Sequence, residues 1–335
     1  MSIVFPSQRY VDESKNTTNT SVTLVSDSDK EVKENKQREL LRLLVKIGND
    51  GVNADSMELI RECIGNNNDT LGGENVSTMD FAGDYSTSAE KSIKKINNQL
   101  IKDRLNASFT YKNLLNNLAR NEVKDPEDDK GSYAYFWKGI SNTISSIREN
   151  YVDFYAGLMQ AYVDIYQKYN DTCVKAASKA VSEGADASHI NWSTNTLDKA
   201  AKIFEDFCTN EQSTLGSVPH WDNLNAVQRK SMEETLKPAF KVNADTGKVT
   251  FNLDFYYNGL TNHPGDSQQD TYSLPEYQAW LAAFNNRGNT FQSNMQTFAQ
   301  TYSQVNNTFN NLNKILSSTI TAMGESANFV LKSIS

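Results

Sequence analysis

Three histidines and three cysteines are the side chains of this sequence best suited to catalysis or metal binding. His189, His220 and His263 lie within one stretch of the chain, but no two are four residues apart, so no helical pair can grip a metal from one face. His220-Trp221-Asp222 places an imidazole near a carboxylate, the start of an acid–base pair, with no nucleophile motif nearby. Cys63, Cys173 and Cys208 are far apart and odd in number, which fits structural or free thiols rather than a disulfide framework or a zinc site. Glycine-rich phosphate loops and the GxSxG nucleophile elbow are absent. The segment Asn243-Ala244-Asp245-Thr246-Gly247, with Asp254 at the twelfth place, imitates a calcium loop. Its glycine is one position early and the bidentate glutamate is missing, so a hairpin turn is the better reading. The expectation is a non-enzyme without metal or cofactor.

Charge and hydropathy narrow the class further. A net charge of −8 over 335 residues argues against a phosphate-neutralising groove. No apolar run approaches the roughly 18–20 residues needed to cross a bilayer. The first residues, MSIVFPSQRY, lack the basic and apolar regions of a cleaved secretory signal. From Ser14 to Ser28, ten of fifteen residues are Ser, Thr or Asn, a composition too polar to offset its ordering entropy, so residues 1–30 read as disordered.

The remaining chain is dominated by helical periodicity. Residues 31–48 form an amphipathic helix closed by Gly48 as its C′ residue, a short helix spans Ala54–Ile64, and a turn-rich NNNDTLGGEN comes next. A longer helix over about Ser88–Glu122 completes an N-terminal αα-hairpin within 31–124. The proline, charge cluster and glycine of 125–132 mark a linker. A first long helix, 133–182, carries Trp137, Ile140, Ile144, Ile147, Tyr151, Phe154, Leu158, Ala161 and Ile165 at heptad spacing. Tyr155, Tyr162, Tyr166 and Tyr169 form a second stripe beside it, expected to meet the hairpin or the insertion, with a hydrophobic ligand groove as the lesser alternative. Residues 183–272 read as a small mixed α/β insertion, with short helices at Leu197–Phe207 and Ala226–Leu236, a hairpin, and an exposed loop at Gly259–Asp270.

The second long helix, 273–335, opens on the capping box Ser273-Leu274-Pro275-Glu276. Phe291, Met295, Phe298, Tyr302, Val305, Phe309, Leu312 and Leu316 alternate gaps of four and three, and Lys314 is the single charge between Phe291 and Leu316. Pairing the two seams within one chain gives the fold class: mainly α, a long intramolecular antiparallel coiled coil with an N-terminal αα-hairpin and a small mixed α/β insertion. At about 1.5–3 kcal/mol per buried large side chain, that seam is the main stabilising element, and Phe309→Asp is expected to collapse it.

Within that last helix Tyr277-Gln278-Ala279-Trp280, Gln300-Thr301-Tyr302-Ser303 and the run Asn311 to Ile320 stand together. This pattern resembles the needle-tip proteins, or hydrophilic translocators, of type III secretion, of the invasion-plasmid-antigen-D and Salmonella-invasion-protein-D kind. The likeness covers about Tyr277–Leu331, and the order of parts matches before it. It implies export through the needle by an uncleaved N-terminal address, and residence at the bacterial surface as a cap on the needle, a pentamer at the tip and a monomer in solution. The implied partners are the needle subunit and the hydrophobic translocators; a bile salt is the implied ligand. The N-terminal hairpin would act as a self-chaperone over the needle-docking surface. By position in the motif the docking candidates are Asn311, Lys314, Ser318, Thr319, Glu325 and Asn328. A cytoplasmic coiled-coil scaffold or export chaperone is the alternative. On this view the neutral polar faces of Phe291–Leu316 are there to be covered by needle subunits or neighbouring protomers, because burying Asn or Ser costs less than burying an unpaired Lys or Glu.

Overall fold

A computed structural model describes residues 39–49, 51–64, 82–120, 133–184, 186, 188–257 and 271–334. The expected disordered start, the turn-rich segment after Ile64, the linker 125–132, the loop Gly259–Asp270 and His263 lie outside the described residues.

The first helix, α1, covers 39–49 and buries Leu40, Leu44 and Ile47. Gly48 does not close it, because the helix runs on past that position. The left-handed residue is Gly51, φ 88°, whose N–H donates to Ile47 O at 2.8 Å. Gly48 serves close packing instead: a Cβ there would stand 2.5 Å from Thr143 Oγ1. Helix α2 (Ala54–Ile64) starts from Asn53, whose Oδ1 accepts the Ser56 N–H at 3.0 Å while Ser56 Oγ accepts from Asn53 N at 2.8 Å. Helix α3 (Ala82–Arg120) buries Ile93, Leu100, Ala107 and Leu114.

Helices α4 (Tyr133–Ile147), α5 (Asp153–Tyr169) and α6 (Lys175–Lys179) form one continuous rod, interrupted by π turns at Arg148–Val152 and Asn170–Val174. Helix α10 (Leu274–Ile334) has 61 residues, about 90 Å at 1.5 Å each. Its cap is formed as the sequence implies: Ser273 N donates to Glu276 Oε2 at 3.1 Å and Ser273 Oγ to the same oxygen at 2.7 Å. Those bonds hold the Glu276 carboxyl below its ordinary value. Phe291, Met295, Phe298, Tyr302, Val305, Phe309, Leu312 and Leu316 are all buried.

The two rods are antiparallel. Tyr155 meets Phe298 at 5.9 Å, Tyr162 meets Phe291 at 6.4 Å and Tyr169 meets Phe284 at 5.9 Å, so residue numbers fall on one helix as they rise on the other. Most of the residues expected on the seam of the first rod are buried. Ile144, Tyr151, Leu158 and Ile165 are buried, but Trp137 and Phe154 are only half-buried. The rings that reach α10 belong to the tyrosine stripe. The π turn at Arg148–Val152 adds a residue to its turn and rotates α5 relative to α4. Tyr155, Tyr162, Tyr166 and Tyr169 are fully buried, and Tyr162 and Tyr169 also touch Phe240, Phe251, Phe204 and Tyr256 of the insertion. Their stripe is filled by protein, not open as a groove.

In the insertion, β1 (Val181–Glu183), β2 (His189–Trp192) and β5 (Thr271–Ser273) form an antiparallel sheet in that order, and β5 runs directly into α10. Helix α7 spans Thr194–Thr214, longer at both ends than its apolar periodicity indicated, and α8 spans Ala226–Leu236. Strands β3 (Phe240–Val242) and β4 (Val249–Phe251) form the hairpin, followed by α9 (Asp254–Tyr257). In the turn, Asn243 Oδ1 accepts from the N–H groups of Asp245 and Thr246, and Gly247 sits at φ 67° with Trp221 packed against its α-carbon. Both the φ and the 2.4 Å approach of Trp221 Cγ exclude a Cβ. Gly247→Ala is therefore expected to cost about 1–3 kcal/mol, read as a lowered midpoint in urea.

A polar seam and groove on the C-terminal helix

Among the described residues the reactive side chains do not assemble into a catalytic centre. His189 Nδ1 lies 2.8 Å from Asp186 Oδ1, but Ser188 Oγ donates to the same carboxylate oxygen at 2.8 Å rather than to the imidazole, and all are exposed. The His189 and Ser188 bonds pull the Asp186 carboxyl down to about 2. His220 stands exposed on a left-handed turn. Burial pushes the Cys173 thiol up to about 11 and the Cys208 thiol up to about 12, which keeps both as inert thiols at neutral pH. No group of three metal-ligating side chains occurs among the described residues.

The distinctive surface is the uncharged face of α10. Helix α3 lies along it in parallel. Gln292 Nε2 donates to Ser92 Oγ at 3.2 Å, Thr110 Oγ1 donates to Asn310 Oδ1 at 2.9 Å, and Asn117 Nδ2 donates to Ser317 Oγ, each pair separated by 200 residues. A constant offset over this length means two helices side by side with matched rise. Tyr111 adds a ring contact to Phe309 at 6.4 Å.

The polar residues of α10 have a heptad of their own. Ser303, Asn306, Asn310, Asn313 and Ser317 are spaced by gaps of three and four and share the face that bonds α3. Opposite, Ile93, Ile96, Leu100, Asp103, Ala107, Thr110, Leu114 and Asn117 repeat in the same way. The chain thus holds an apolar antiparallel seam and a mixed parallel one on the same helix. One stripe of neutral polar residues is covered by the chain's own α3, while Asn307 and Ser318 on another stripe stay exposed and Asn311 half-exposed.

This second seam is imperfectly satisfied. Asn306 and Asn313 are 1% and 0% exposed, and neither amide nitrogen nor oxygen has a hydrogen-bond partner among the described residues. The Tyr302 hydroxyl and Asp103 Oδ2 are also without partners there. Burial pushes the Asp103 carboxyl above its ordinary value of 3.8, against the opposing pull of the Gln99 amide, which donates to Oδ1 at 2.7 Å. Burial, with Asp103 nearby, likewise raises the Tyr302 phenol.

A carboxyl with a raised folded-state pKa contributes stability that is complete below its unfolded pKa and is lost as pH rises through the folded value. At neutral pH the charged Asp103 therefore weakens the α3–α10 seam. Asp103→Asn keeps the acceptor for Gln99 and removes the charge. The expected result is a higher melting temperature at pH 7 and a difference that vanishes below the ordinary carboxylate range, measured by circular dichroism across pH.

Toward the C-terminal end of this seam the two helices open into a groove of about 450 Å³. Thr110 and Asn113 line it from α3, with Asn313, Lys314, Ser317, Ser318, Thr321 and Glu325 from α10. Of the sequence candidates, Lys314, Ser318 and Glu325 meet here, exposed on one face. Thr319 does not join them: it is buried and its hydroxyl donates to Ile315 O at 2.9 Å. Asn311 is half-buried and outside the groove, and the side chain of Asn328 lies outside the description. Sequence reasoning missed Asn313, Ser317 and Thr321, although the three-and-four spacing of the polar residues carried the signal.

Comparison with known proteins converges on the same helix. Residues 265–331 match the family model of type III secretion systems tip complex components. The chain is similar to type III needle-tip proteins. It is 26% identical over 215 residues to invasin IpaD of Shigella flexneri, covering 61% of this chain and 62% of that protein. It is 25% identical over 216 residues to the cell invasion protein SipD of Salmonella typhi, covering 60% and 62%. The translocator protein BipD of Burkholderia mallei is 33% identical over 89 residues, 27% of this chain and 28% of its own. The chain thus spans about three-fifths of the first curated relatives it matches. In fold it resembles the solved structure of BipD, an invasion protein associated with the type-III secretion system of Burkholderia pseudomallei. That likeness has a TM-score of 0.52 at 17% identity, covering 77% of this chain and 98% of the other. No helix among the described residues is long and apolar enough to cross a membrane.

Proposed function

We propose that this protein is a non-enzymatic needle-tip protein of a type III secretion system. It is exported through the needle, caps it as a pentamer, regulates secretion and serves as the platform for the hydrophobic translocators. The α10 wall of the groove, with Lys314, Ser318 and Glu325, is the needle-docking site, and α3 is the self-chaperone that lies along it until docking.

The observation that carries this reading is the character of the seam. Isolated buried atoms such as the Tyr169 hydroxyl also lack partners among the described residues, but Asn306 and Asn313 alone among them leave both amide atoms unpaired, and both lie on this one seam. Neutral polar groups can be hydrated when the seam opens and can bond a new helix when it closes again, at less cost than charges would impose. A bile salt entering the same groove is the ligand the resemblance implies, with Lys314 as its counter-charge.

The test is a pull-down of the full-length chain with purified needle subunit. Lys314→Glu and Ser318→Glu put carboxylates on the groove rim and are expected to reduce capture by about 10-fold or more, the scale of one desolvated like-charge contact. Thr209→Glu, on an exposed face of α7, is expected to leave capture unchanged. Equal capture of all variants would refute the site.

A further inference from the structure

We propose that the outward face of α3, from Lys91 to Lys112, docks on an anionic lipid bilayer. This inference does not depend on the docking role of α10, since it concerns the opposite side of α3.

Three large apolar residues stand on that face in open solvent. Ile101 is 58% exposed, and Leu105 and Phe109 are each 66% exposed. Their four-residue spacing aligns them as one convex ridge, about 12 Å long at the helical rise. The other side of α3 is already spent on the core through Ile93, Leu100, Ala107 and Leu114.

The ridge is surrounded by cations. Lys91, Lys94, Lys95, Lys102, Arg104 and Lys112 are all exposed, and none forms an ion pair among the described residues. The single acid between positions 91 and 112 is Asp103, which is buried on the inner face. In a chain of net charge −8 this is a pronounced local reversal. A basic helix face with an aliphatic and aromatic ridge is the composition that lies in a membrane interface: the ridge enters the acyl boundary while lysine stems extend to anionic headgroups.

Charge decides between occupants. A second copy presenting the same face would bring six cations against six. An acidic protein partner would satisfy the charge, but a convex ridge with cations spread over about 30 Å of helix matches a planar array of headgroups better than a cleft.

The experiment is co-sedimentation of the full-length protein with vesicles of phosphatidylcholine alone and of phosphatidylcholine mixed with phosphatidylserine. Binding to the mixed vesicles, little to the neutral ones, and weakening with added salt are expected. Lys94→Glu with Lys102→Glu, and separately Leu105→Ser with Phe109→Ser, should each weaken it by about 10-fold or more. All four positions are exposed, so circular dichroism and melting should match the parent, and the lipid-charge and salt comparisons need no variant. Absence of binding to mixed vesicles, equal binding to both kinds, or binding insensitive to both double variants would overturn the proposal. So would capture of an acidic amphipathic peptide, or self-association lost in the Leu105→Ser/Phe109→Ser protein, without any vesicle binding.

Discussion

Truncating Phe291 to alanine is expected to lower the unfolding free energy by about 3–5 kcal/mol. The ring is fully buried where four helices converge. It lies 4.8 Å from Tyr169 and 6.1 Å from Tyr166 of α5, 5.9 Å from Phe204 of α7, and 4.7 Å from Phe255 of α9. Rings this large and mutually constrained cannot collapse into the space a phenyl leaves, so both the transfer and the cavity contributions are lost. The effect should therefore reach the insertion as well as the coiled coil, and appear as one cooperative shift in urea unfolding. Phe329→Ala, at a ring 74% exposed on the same helix, is the matched control and should stay within about 0.5 kcal/mol of the parent. A loss below about 1 kcal/mol at Phe291 would mean that the insertion does not rest on the α5–α10 seam.

The second large effect has the opposite sign. Asn306→Leu with Asn313→Leu replaces two buried amides, without partners among the described residues, by apolar groups of similar size. Each replacement removes a desolvation penalty of about 1–3 kcal/mol, and the pair converts a polar seam into an ordinary apolar one. The protein should melt at a higher temperature and hold α3 more tightly. If α3 must leave α10 for docking, the same variant should capture less needle subunit, and Asn306→Leu alone, at a position outside the groove that Asn313 lines, should do so as well. Stability and capture are then traded against each other, an outcome that a merely structural seam would not produce. Hydrogen exchange of the α3 amides, slowed in the variant, measures the closure directly.

Much of the architecture was legible in the sequence. The boundaries of α2 and α8, the Ser273–Glu276 cap and the β3–β4 hairpin arise from local chemistry: a capping residue, a capping box, and an Asn-to-Gly turn. These depend on neighbours a few residues away. The burial of Phe291 to Leu316 was equally readable, because apolar periodicity reports which face is covered. It does not report what covers it, and this explains the main gap. The Ser303–Ser317 seam was invisible as a packing surface because neutral polar residues carry no hydrophobic signal, even at heptad spacing. The ring contacts with α10 come from the tyrosine stripe rather than from Phe154, and the π turn at Arg148–Val152, which rotates α5 relative to α4, leaves no composition cue. Gly48 looked like a helix end, but its reason is a neighbour, Thr143, almost a hundred positions away. Lys314, Ser318 and Glu325, candidates by family resemblance and position in the motif, share one groove, whereas Thr319 faces inward for reasons of tertiary packing alone.

The most direct test of the α3–α10 arrangement is a reversible tether. Thr110 and Asn310 are bonded across the parallel seam, so Thr110→Cys with Asn310→Cys should form a disulfide in the full-length chain, with Cys63, Cys173 and Cys208 replaced by serine or alanine to prevent exchange. Needle-subunit capture, measured on the oxidised protein and again after reduction, should be absent in the first state and restored in the second. Equal capture in both states would contradict the account, because docking would then proceed with α3 still fastened along the C-terminal helix.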